Sequence, residues 1–237
     1  AMIFAAGIGS RLYPLTKKTP KALVEVAGKT MLEHTLLHLK DHGVNQVIIN
    51  IHHFAGQIRQ FVHDKGSFDM QITFSDETGR LLDTGGGLKK ASWFFKESGP
   101  FIVHNVDVLS NLDLSALYRY HLDKKALATL AVRQRTSSRY LLFDHNRLLC
   151  GWENNKSGQQ KMTRPVYQVE KLAFSGIQVI NPALFDWMPE KQVFSITDTY
   201  LIAAKNEKIA GFCETGSWWF DIGNLENLEK ARNFINH

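Results

Sequence analysis

The chain has 237 residues, with 44% hydrophobic residues, 22% charged residues and a formal net charge of +5. This composition is typical of a globular protein and excludes a wholly disordered chain, a collagen-like fibre and a coiled coil. No run of about 18 apolar residues predicts a membrane span, and the first residues lack the basic and apolar regions of a signal peptide. The two cysteines, Cys150 and Cys213, are too few for a disulfide framework. We therefore expect a cytoplasmic protein without a membrane partner.

The positive charge is concentrated near the start of the chain. Residues 1–30 contain five basic residues and one acidic residue, whereas the remaining residues contain 23 basic and 22 acidic ones. Proteins that bind nucleic acids usually spread lysine and arginine along a face or an arm. A short basic segment beside glycines suits a small polyanion better, so we expect no nucleic-acid partner.

The first half of the chain alternates strand-like and helix-like segments. The capping box Thr30-Met31-Leu32-Glu33 predicts a helix that ends near Gly43, and Asp113 predicts the N-cap of a helix that reaches about Lys124. Short strands separated by helices predict a parallel, helix-covered sheet. The other elements predicted here are the strands Ile3–Ala6, Val47–Ile51, Met70–Ser75, Phe101–Asn105 and Leu127–Val132 and the helices Gly56–Lys65 and Leu88–Phe95.

Beyond about residue 133 the pattern is looser. The polar stretch Asn154–Lys161 predicts a hairpin or a mobile loop. It is surrounded by the short segments Tyr140–Phe143, Arg147–Leu149 and Tyr167–Val169. The predicted strands are Phe174–Ile180, Lys208–Cys213 and Trp218–Ile222, and the predicted helices are Ile196–Asn206 and Asn224–Phe234. The predicted fold class is α/β, a single Rossmann-like three-layer sandwich with a mostly parallel mixed sheet. Ligands bind beyond the carboxyl ends of the strands in such sheets, which points to Gly7–Arg11, the Gly85 region, Asn105–Asp107 and Asp221.

The glycine-rich segment Gly7-Ile8-Gly9-Ser10-Arg11 follows the first predicted strand. Backbone N–H groups in such a loop can cradle a phosphate, although two glycines after a strand fit a tight turn equally well. A dinucleotide-binding fingerprint would need glycine in place of Leu12, and a Walker A loop ending at Thr30 would need glycine in place of Leu23. The first departure weakens the dinucleotide-binding interpretation, and the second excludes a Walker A loop.

A longer pattern is more specific: Gly7-x-Gly9-x-Arg11-x-x-Pro14-x-Thr16-x-x-x-Pro20-Lys21, followed by Ala22–Lys29. It places a guanidinium and an ammonium around a glycine loop that two prolines stiffen, an arrangement suited to clamping a polyphosphate. The segment resembles the sugar-1-phosphate nucleotidyltransferases, whose signature is GxGxRxxPxTxxxPKxLxxVxGKP, with Thr30 in place of the final proline. The similarity covers essentially the whole chain, and its further motifs are Asp83–Gly87, Asn105–Asp107, Phe174–Ile177 and Trp219–Gly223.

The run from Glu77 to Lys90 is most similar to the N-acetylmuramate-1-phosphate uridylyltransferases of cell-wall recycling. The resemblance implies the nucleotide-diphospho-sugar transferase fold, with residues 1–132 as a nucleotide-binding half and residues 133–237 as a sugar-binding, closing half. It also implies that an NTP, with UTP preferred, reacts with a sugar 1-phosphate, with N-acetylmuramate 1-phosphate preferred, to give an NDP-sugar and pyrophosphate. Mg²⁺ is the implied cofactor.

The resemblance also implies a role for each matching residue. Arg11 and Lys21 are the expected catalytic residues, and Asp107 and Asp221 are the expected metal ligands. Val106 stands where the family usually has glycine, which puts the geometry of that loop in question. The expected nucleotide-binding residues are Ala5, Ala6, Gly7, Gly9, Glu77, Gly85 and Gly86, and the expected sugar-binding residues are Asn105, Glu170 and Gly176.

Several alternatives remain open from the sequence. Within the class, the chain could be a thymidylyl-, guanylyl- or phosphocholine cytidylyltransferase; outside it, a metal-dependent glycosyltransferase of GT-A type or a non-catalytic nucleotide-sugar sensor. Glu170 with Lys171 fits an exposed ion pair better than a sugar site. His34, His38 and His42 fit a solvated helix face or a subunit contact better than a metal site, and we expect a monomer or a small homo-oligomer.

Overall fold

The computed structural model describes residues 1–213 and 215–235. Its strands are β1 Met2–Phe4, β2 Glu25–Val26, β3 Lys29–Thr30, β4 Gln46–Ile51, β5 Gln71–Asp76, β6 Phe101–Asn105, β7 Val108–Ser110, β8 Ala128–Arg133, β9 Arg139–Phe143, β10 Leu149–Asn154, β11 Gln159–Met162, β12 Glu170–Ile180, β13 Ile209–Cys213 and β14 Trp219–Asp221. Its α-helices are α1 Met31–Asp41, α2 Ala55–Asp64, α3 Asp83–Lys90, α4 Leu114–Lys124, α5 Ile196–Ala203 and α6 Leu225–Ile235. Every helix in these ranges is too short or too polar to span a bilayer.

The chain forms two compact units that alternate along the sequence. The first unit contains residues 1–81, 103–112 and 217–235, and the second contains residues 82–102 and 113–213 with 215 and 216. These units differ from the expected halves 1–132 and 133–237. The division into a nucleotide-binding and a sugar-binding half stays a prediction.

The first unit is built on parallel strands, as the alternation of strands and helices predicts. Strand β1 pairs in parallel with β4 on one side and with β6 on the other, and β5 extends the sheet beyond β4. Strands β7 and β14 form a separate antiparallel pair, with Asp221 opposite Val108. Asn105, which pairs with Phe4, ends β6 just before this antiparallel pair begins.

An apolar cluster in the first unit lies next to the candidate site. It joins the segment after β1, the start of α1, strand β7 and helix α6 through side chains that are at most 5% exposed: Leu12, Val24, Val26, Met31, Leu109, Ile222, Leu228 and Ala231. Leu12 follows Arg11 in the chain, and Ile222 follows Asp221. Burying the two apolar neighbours therefore fixes where the two charged residues emerge.

The second unit carries a mixed sheet. The 11-residue strand β12 pairs antiparallel with β9 through its first residues and with β8 through the rest, and β13 adds to β8 in parallel. Strands β10 and β11 form an antiparallel hairpin, which confirms the hairpin interpretation of residues 154–161. Of the short segments around this stretch, Tyr140–Phe143 lies in β9, Arg147–Leu149 reaches the first residue of β10, and Tyr167–Val169 precedes β12.

The capping signals predict their helices well. The Thr30 hydroxyl accepts a hydrogen bond from the N–H of Glu33 (3.1 Å), and α1 follows directly. The Asp113 carboxylate accepts from the N–H of Ala116 (2.8 Å) at the start of α4. The helix predicted at Leu88–Phe95 instead begins at Asp83 and is followed by a 3₁₀ turn at Ser92–Phe95. The low helix propensity of the three glycines is overridden by the packing described below.

Candidate active site

The chain after β1 is held in place by an asparagine that the sequence motifs did not identify. The side-chain oxygen of Asn50, on β4, accepts hydrogen bonds from the N–H groups of Ala5 (2.7 Å) and Ala6 (3.3 Å). All three residues are buried. Asn50 thus satisfies the backbone donors of the two residues that lead into the glycine loop, where an unpaired buried N–H would be costly.

The same asparagine holds Glu77 at the end of β5. Its side-chain nitrogen donates to Oε1 of Glu77 (2.8 Å), and the Glu77 side chain is almost completely buried. The N–H of Glu77 donates to the carbonyl of Ile51 (2.8 Å), so the backbone of this residue is also fixed. Asn50 is the one polar residue in the apolar run Val47–Ile51, and a buried polar group requires partners. A single asparagine in an apolar strand was therefore the sequence feature that could have identified this buried contact.

Gly9 allows two parts of the basic segment to approach closely. Its φ is +72°, and a Cβ at this position would lie 2.9 Å from Cβ of Lys21 and 3.0 Å from Cγ2 of Thr16. The Thr16 hydroxyl donates to the Gly9 carbonyl (2.9 Å). A side chain at position 9 would therefore be strained in its backbone and would push Lys21 away.

Lys21 and Asp107, which are far apart in the sequence, form a partly buried ion pair. Nζ of Lys21 donates to Oδ2 of Asp107. The Lys21 side chain is 9% exposed and that of Asp107 is 26% exposed. A buried ammonium is tolerated only when it is paired, so this contact ties the basic segment to the loop after β6.

Asp221 and Arg11 lie beside this ion pair in the first unit. The N–H of Ile222 donates to the carbonyl of Asp107 (2.8 Å), which places Asp221 next to Asp107. A Cβ on Gly223 would lie 2.9 Å from Oδ1 of Asp221 and 3.1 Å from Nη2 of Arg11. The structure therefore brings together the two expected catalytic cations and the two expected metal ligands. Gly223, the last residue of the motif Trp219–Gly223, has no side chain and so leaves room for Asp221 and Arg11.

The loop that carries Asp107 accommodates valine without strain. Val106 is buried and is not among the residues with positive φ, and its N–H donates to the carbonyl of Phe4 (3.1 Å). The glycine that is usual in the family is therefore not required by the backbone here.

His104, two residues before Val106, donates from Nδ1 to the carbonyl of Asn105 (2.8 Å). Burial, with a smaller contribution from nearby His38, lowers the pKa of His104 to about 4, so its ring is neutral at pH 7.

The acidic pair suits a magnesium ion. Mg²⁺ prefers oxygen ligands and is usually held by one or two carboxylates together with substrate phosphates and water. Asp107 and Asp221 supply two such carboxylates. Within residues 1–213 and 215–235, no three side chains of His, Cys, Asp or Glu converge on a common metal position. The donor set therefore fits an ion that shares its coordination with a phosphate substrate, and does not fit a fully protein-ligated metal.

Gly85 and Gly86 belong to the second unit, where they contact the chain itself. A Cβ on Gly85 would lie 2.4 Å from the ring of Phe194, and one on Gly86 would lie 2.0 Å from the carbonyl oxygen of Gln192. The N–H of Gly85 also donates to the carbonyl of Phe194 (2.9 Å). Close packing of α3 on this segment accounts for both glycines, and their role in nucleotide binding stays a prediction.

The expected sugar-binding residues Glu170 and Gly176 also lie in the second unit. Glu170 forms an ion pair with Arg147 (3.1 Å), and its neighbour Lys171 pairs separately with Glu153 (2.7 Å). Gly176 has φ of +80° and lies where the register between β12 and β8 shifts. Its backbone conformation explains the glycine, and the sugar-binding roles of both residues stay predictions.

The three histidines of α1 are structural hydrogen-bonding groups. His34 bonds through Nε2 to the carbonyl of Val26 (2.8 Å), His38 through Nε2 to that of Leu112 (3.0 Å), and His42 through Nδ1 to that of His38 (2.9 Å). Each ring nitrogen must donate, because its partner is a carbonyl oxygen. The expectation that these residues are not metal ligands stays a prediction.

Known proteins match the chain over its whole length. A family model described as "Nucleotidyl transferase" matches residues 1–237. An N-acetylmuramate alpha-1-phosphate uridylyltransferase of Neisseria meningitidis is 29% identical, over 98% of this chain and 96% of that protein. A UTP–glucose-1-phosphate uridylyltransferase of Synechocystis is also 29% identical over 98% of this chain, but the match spans only 62% of that relative's length.

A solved structure confirms the predicted fold class. The crystal structure of HddC from Yersinia pseudotuberculosis, complexed with GMP-PN, superimposes with a TM-score of 0.78. The two chains are 24% identical, and the match covers 99% of this chain and 98% of HddC. The α/β, Rossmann-like fold with a mixed, mostly parallel sheet is therefore established.

Replacing Asn50 by aspartate tests the buried network. The introduced carboxylate would still accept from Ala5 and Ala6 but would face the carboxylate of Glu77, and two buried carboxylates at hydrogen-bond distance must share a proton. Their folded-state pKa values would rise above the unfolded values, so stability falls as pH rises. We expect the Asn50→Asp variant to lose more unfolding free energy, relative to the parent chain, at pH 8 than at pH 5 in urea titrations. A deficit independent of pH would show that Asn50 and Glu77 are not coupled.

Proposed function

The chain belongs to the nucleotidyl transferase family, and we propose that it condenses UTP with N-acetylmuramate 1-phosphate to give a UDP-sugar and pyrophosphate. The general activity, nucleotidyl transfer to a sugar 1-phosphate, is supported by the family match over residues 1–237. The choice of substrates is supported by the Neisseria meningitidis relative, whose length the match covers almost completely. The motif Asp83–Gly87 is the sequence feature that favours the same pair.

The observation that carries the proposal is the cluster of Arg11, Lys21, Asp107 and Asp221. An oxygen of the sugar phosphate attacks the α-phosphorus of the NTP, and the bond to the departing pyrophosphate breaks. This reaction needs no covalent enzyme intermediate, so catalysis consists of positioning and charge stabilisation. Two fixed cations beside two carboxylates provide both, because the cations bind phosphate oxygens and the carboxylates bind a divalent ion.

Each charged residue has a distinct role in this proposal. Arg11 is exposed, and its planar guanidinium can bind two oxygens of the pyrophosphate portion together. The Lys21 ammonium, now bonded to Asp107, can donate to a non-bridging oxygen of the α-phosphate, where charge develops in the transition state. Asp107 and Asp221 would hold Mg²⁺. When bound, this ion neutralises phosphate charge and orients the two substrates.

The backbone around the cluster would bind the nucleotide. The N–H groups of Ala5 and Ala6 already donate to the side chain of Asn50. These two residues would therefore contribute to nucleotide binding indirectly, by positioning the loop that follows them. Gly7 is exposed, and a Cβ there would meet nothing within 4 Å. This open position suits a phosphate or ribose that approaches the main chain.

A substrate panel tests the proposal. The purified chain would be incubated with Mg²⁺, each of UTP, GTP, CTP and dTTP, and a set of sugar 1-phosphates, and both pyrophosphate and NDP-sugar would be quantified. We expect pyrophosphate with the highest kcat/KM for UTP and N-acetylmuramate 1-phosphate. A higher value for another pair would replace the substrates but keep the class. Release of NDP from a nucleotide sugar without pyrophosphate would indicate a glycosyltransferase, and binding without turnover would indicate a sensor.

Replacing Asp221 by asparagine tests the acidic pair. The change keeps the shape of the side chain but removes one of two carboxylates, so we expect kcat to fall by about 100-fold or more and the Mg²⁺ concentration for half-maximal rate to rise. The matched control is the same substitution, Asp123→Asn, at an exposed residue of α4. Parent-like turnover and Mg²⁺ dependence of a folded Asp221→Asn variant would refute the assignment.

A further inference from the structure

The carboxyl ends of three neighbouring parallel strands form one edge of the sheet in the first unit. Strand β4 pairs with β1 on one side and with β5 on the other. The glycine-rich segment lies beyond β1, His52 follows β4, and Glu77 follows β5. Three adjacent strands span about 10 Å, which is comparable to the length of a nucleoside. Ligands of open α/β sheets bind beyond such an edge.

Glu77, an expected nucleotide-binding residue, is enclosed by its neighbours at this edge. The residue is 1% exposed, and its Oε1 accepts a hydrogen bond from Asn50. Its carbonyl oxygen accepts from Nδ1 of His52 (2.7 Å) and from the N–H of Arg80 (2.9 Å). A base cannot reach a carboxylate that is buried in this way. Glu77 can instead contribute to binding by holding a neighbour in position.

His52 is the neighbour of Glu77 that offers an open hydrogen-bonding atom. Its Nδ1 bonds a carbonyl oxygen and therefore carries the hydrogen, so Nε2 of the neutral ring is an acceptor. The residue is partly exposed, and its Nε2 has no partner among the residues that the structure describes. Unlike Nε2 of His104, this atom is not buried. The ring of His52 is thus fixed at one nitrogen and open to a ligand at the other.

An acceptor of this kind distinguishes nucleobases by the hydrogen on their ring nitrogen. On the Watson–Crick edge, which proteins read on unpaired bases, uracil, thymine and guanine carry an imino N–H. The equivalent nitrogen of cytosine and adenine is itself an acceptor. Nε2 of His52 can therefore accept from N3–H of uracil, whereas it would face the lone pair of cytosine N3. Two acceptors in contact leave both without a donor, which is costly.

We propose that His52 reads the base of the bound nucleotide, with its Nε2 accepting a hydrogen bond from the imino N–H of uracil. This role rests on the nucleotidyl transfer proposed above and adds a specificity-determining residue to it. The bond from Nδ1 to the Glu77 carbonyl fixes the tautomer, as a partner at one ring nitrogen commonly does. Asn50 connects this pair to the glycine-rich segment, because it bonds both the Glu77 side chain and the N–H of Ala5.

Two substitutions separate base reading from a purely structural role of His52. Asparagine places an amide N–H near the position of Nδ1 and can keep the bond to Glu77, but it has no group at the position of Nε2. Glutamine reaches the position of Nε2 with a carbonyl oxygen and gives up the bond to Glu77. His63→Asn, at an exposed residue of α2, is the matched control.

Calorimetric titration of the full chain measures the Kd of UTP and of CTP with Mg²⁺ and without a sugar phosphate. At pH 8 imidazole rings are neutral, and we expect the parent chain and His63→Asn to bind UTP at least about 10-fold more tightly than CTP. His52→Asn should lower this ratio by about 10-fold, whereas His52→Gln should keep the Kd of UTP near the parent value. An unchanged ratio in His52→Asn, including an equal loss of affinity for both nucleotides, would overturn the proposal. If His52→Asn does not fold, nitrogen-15 NMR of the parent chain decides, because UTP should shift the Nε2 resonance of His52 and the absence of a shift would overturn base reading.

The base-reading role and the nucleotidyl transfer on which it rests fail in different ways. A ratio that depends on His52 in a chain that releases no pyrophosphate from any NTP and sugar 1-phosphate would refute the transfer and keep the base contact. Pyrophosphate release by a chain whose ratio is the same with and without His52 would keep the transfer and refute the base contact. Absence of binding of either nucleotide would contradict both.

Discussion

The ion pair between Lys21 and Asp107 is the interaction on which the candidate active site depends. The two residues are 86 positions apart, and the lysine is buried. A buried ammonium without a partner would cost several kcal/mol, so the folded chain must bring the loop after β6 to the basic segment. Gly9 contributes by leaving out the side chain that would displace Lys21. The geometry of the segments proposed to bind phosphate is thus coupled to the folding of the first unit.

Apolar packing holds the rest of the cluster around this pair. Leu12 and Ile222 are fully buried in one cluster with Met31 and Leu228, and each is adjacent in sequence to one of the charged residues Arg11 and Asp221. A charged side chain on a loop would lose much of its side-chain entropy on binding a substrate. Anchoring the neighbouring residue in the core restricts the backbone beforehand, which lowers the entropic cost of substrate binding in the proposed site.

The sequence predicted the elements whose signals are local. The capping box at Thr30 and the cap at Asp113 gave helices that begin where expected, and the family motifs identified the four charged residues that the structure brings together. Contacts between distant segments could not be read in the same way. Asn50 bonds to Ala5 and to Glu77, at separations of 45 and 27 residues, and strand register is not visible in residue types. Gly86 was identified only as an expected nucleotide-binding residue, and the sequence did not show that the carbonyl of Gln192 also leaves no room for a side chain there.

The central claim is that the buried lysine acts on the transferred phosphate, and single-turnover kinetics of a Lys21→Gln variant test it most directly. The control is Lys17→Gln, which removes an exposed lysine from the same segment, and urea titration establishes that both variants fold. With NTP, sugar 1-phosphate and Mg²⁺, we expect pyrophosphate release by the folded Lys21→Gln variant to slow by about 100-fold or more, while the control stays near the parent rate. A folded Lys21→Gln variant that releases pyrophosphate at the parent rate would contradict the account.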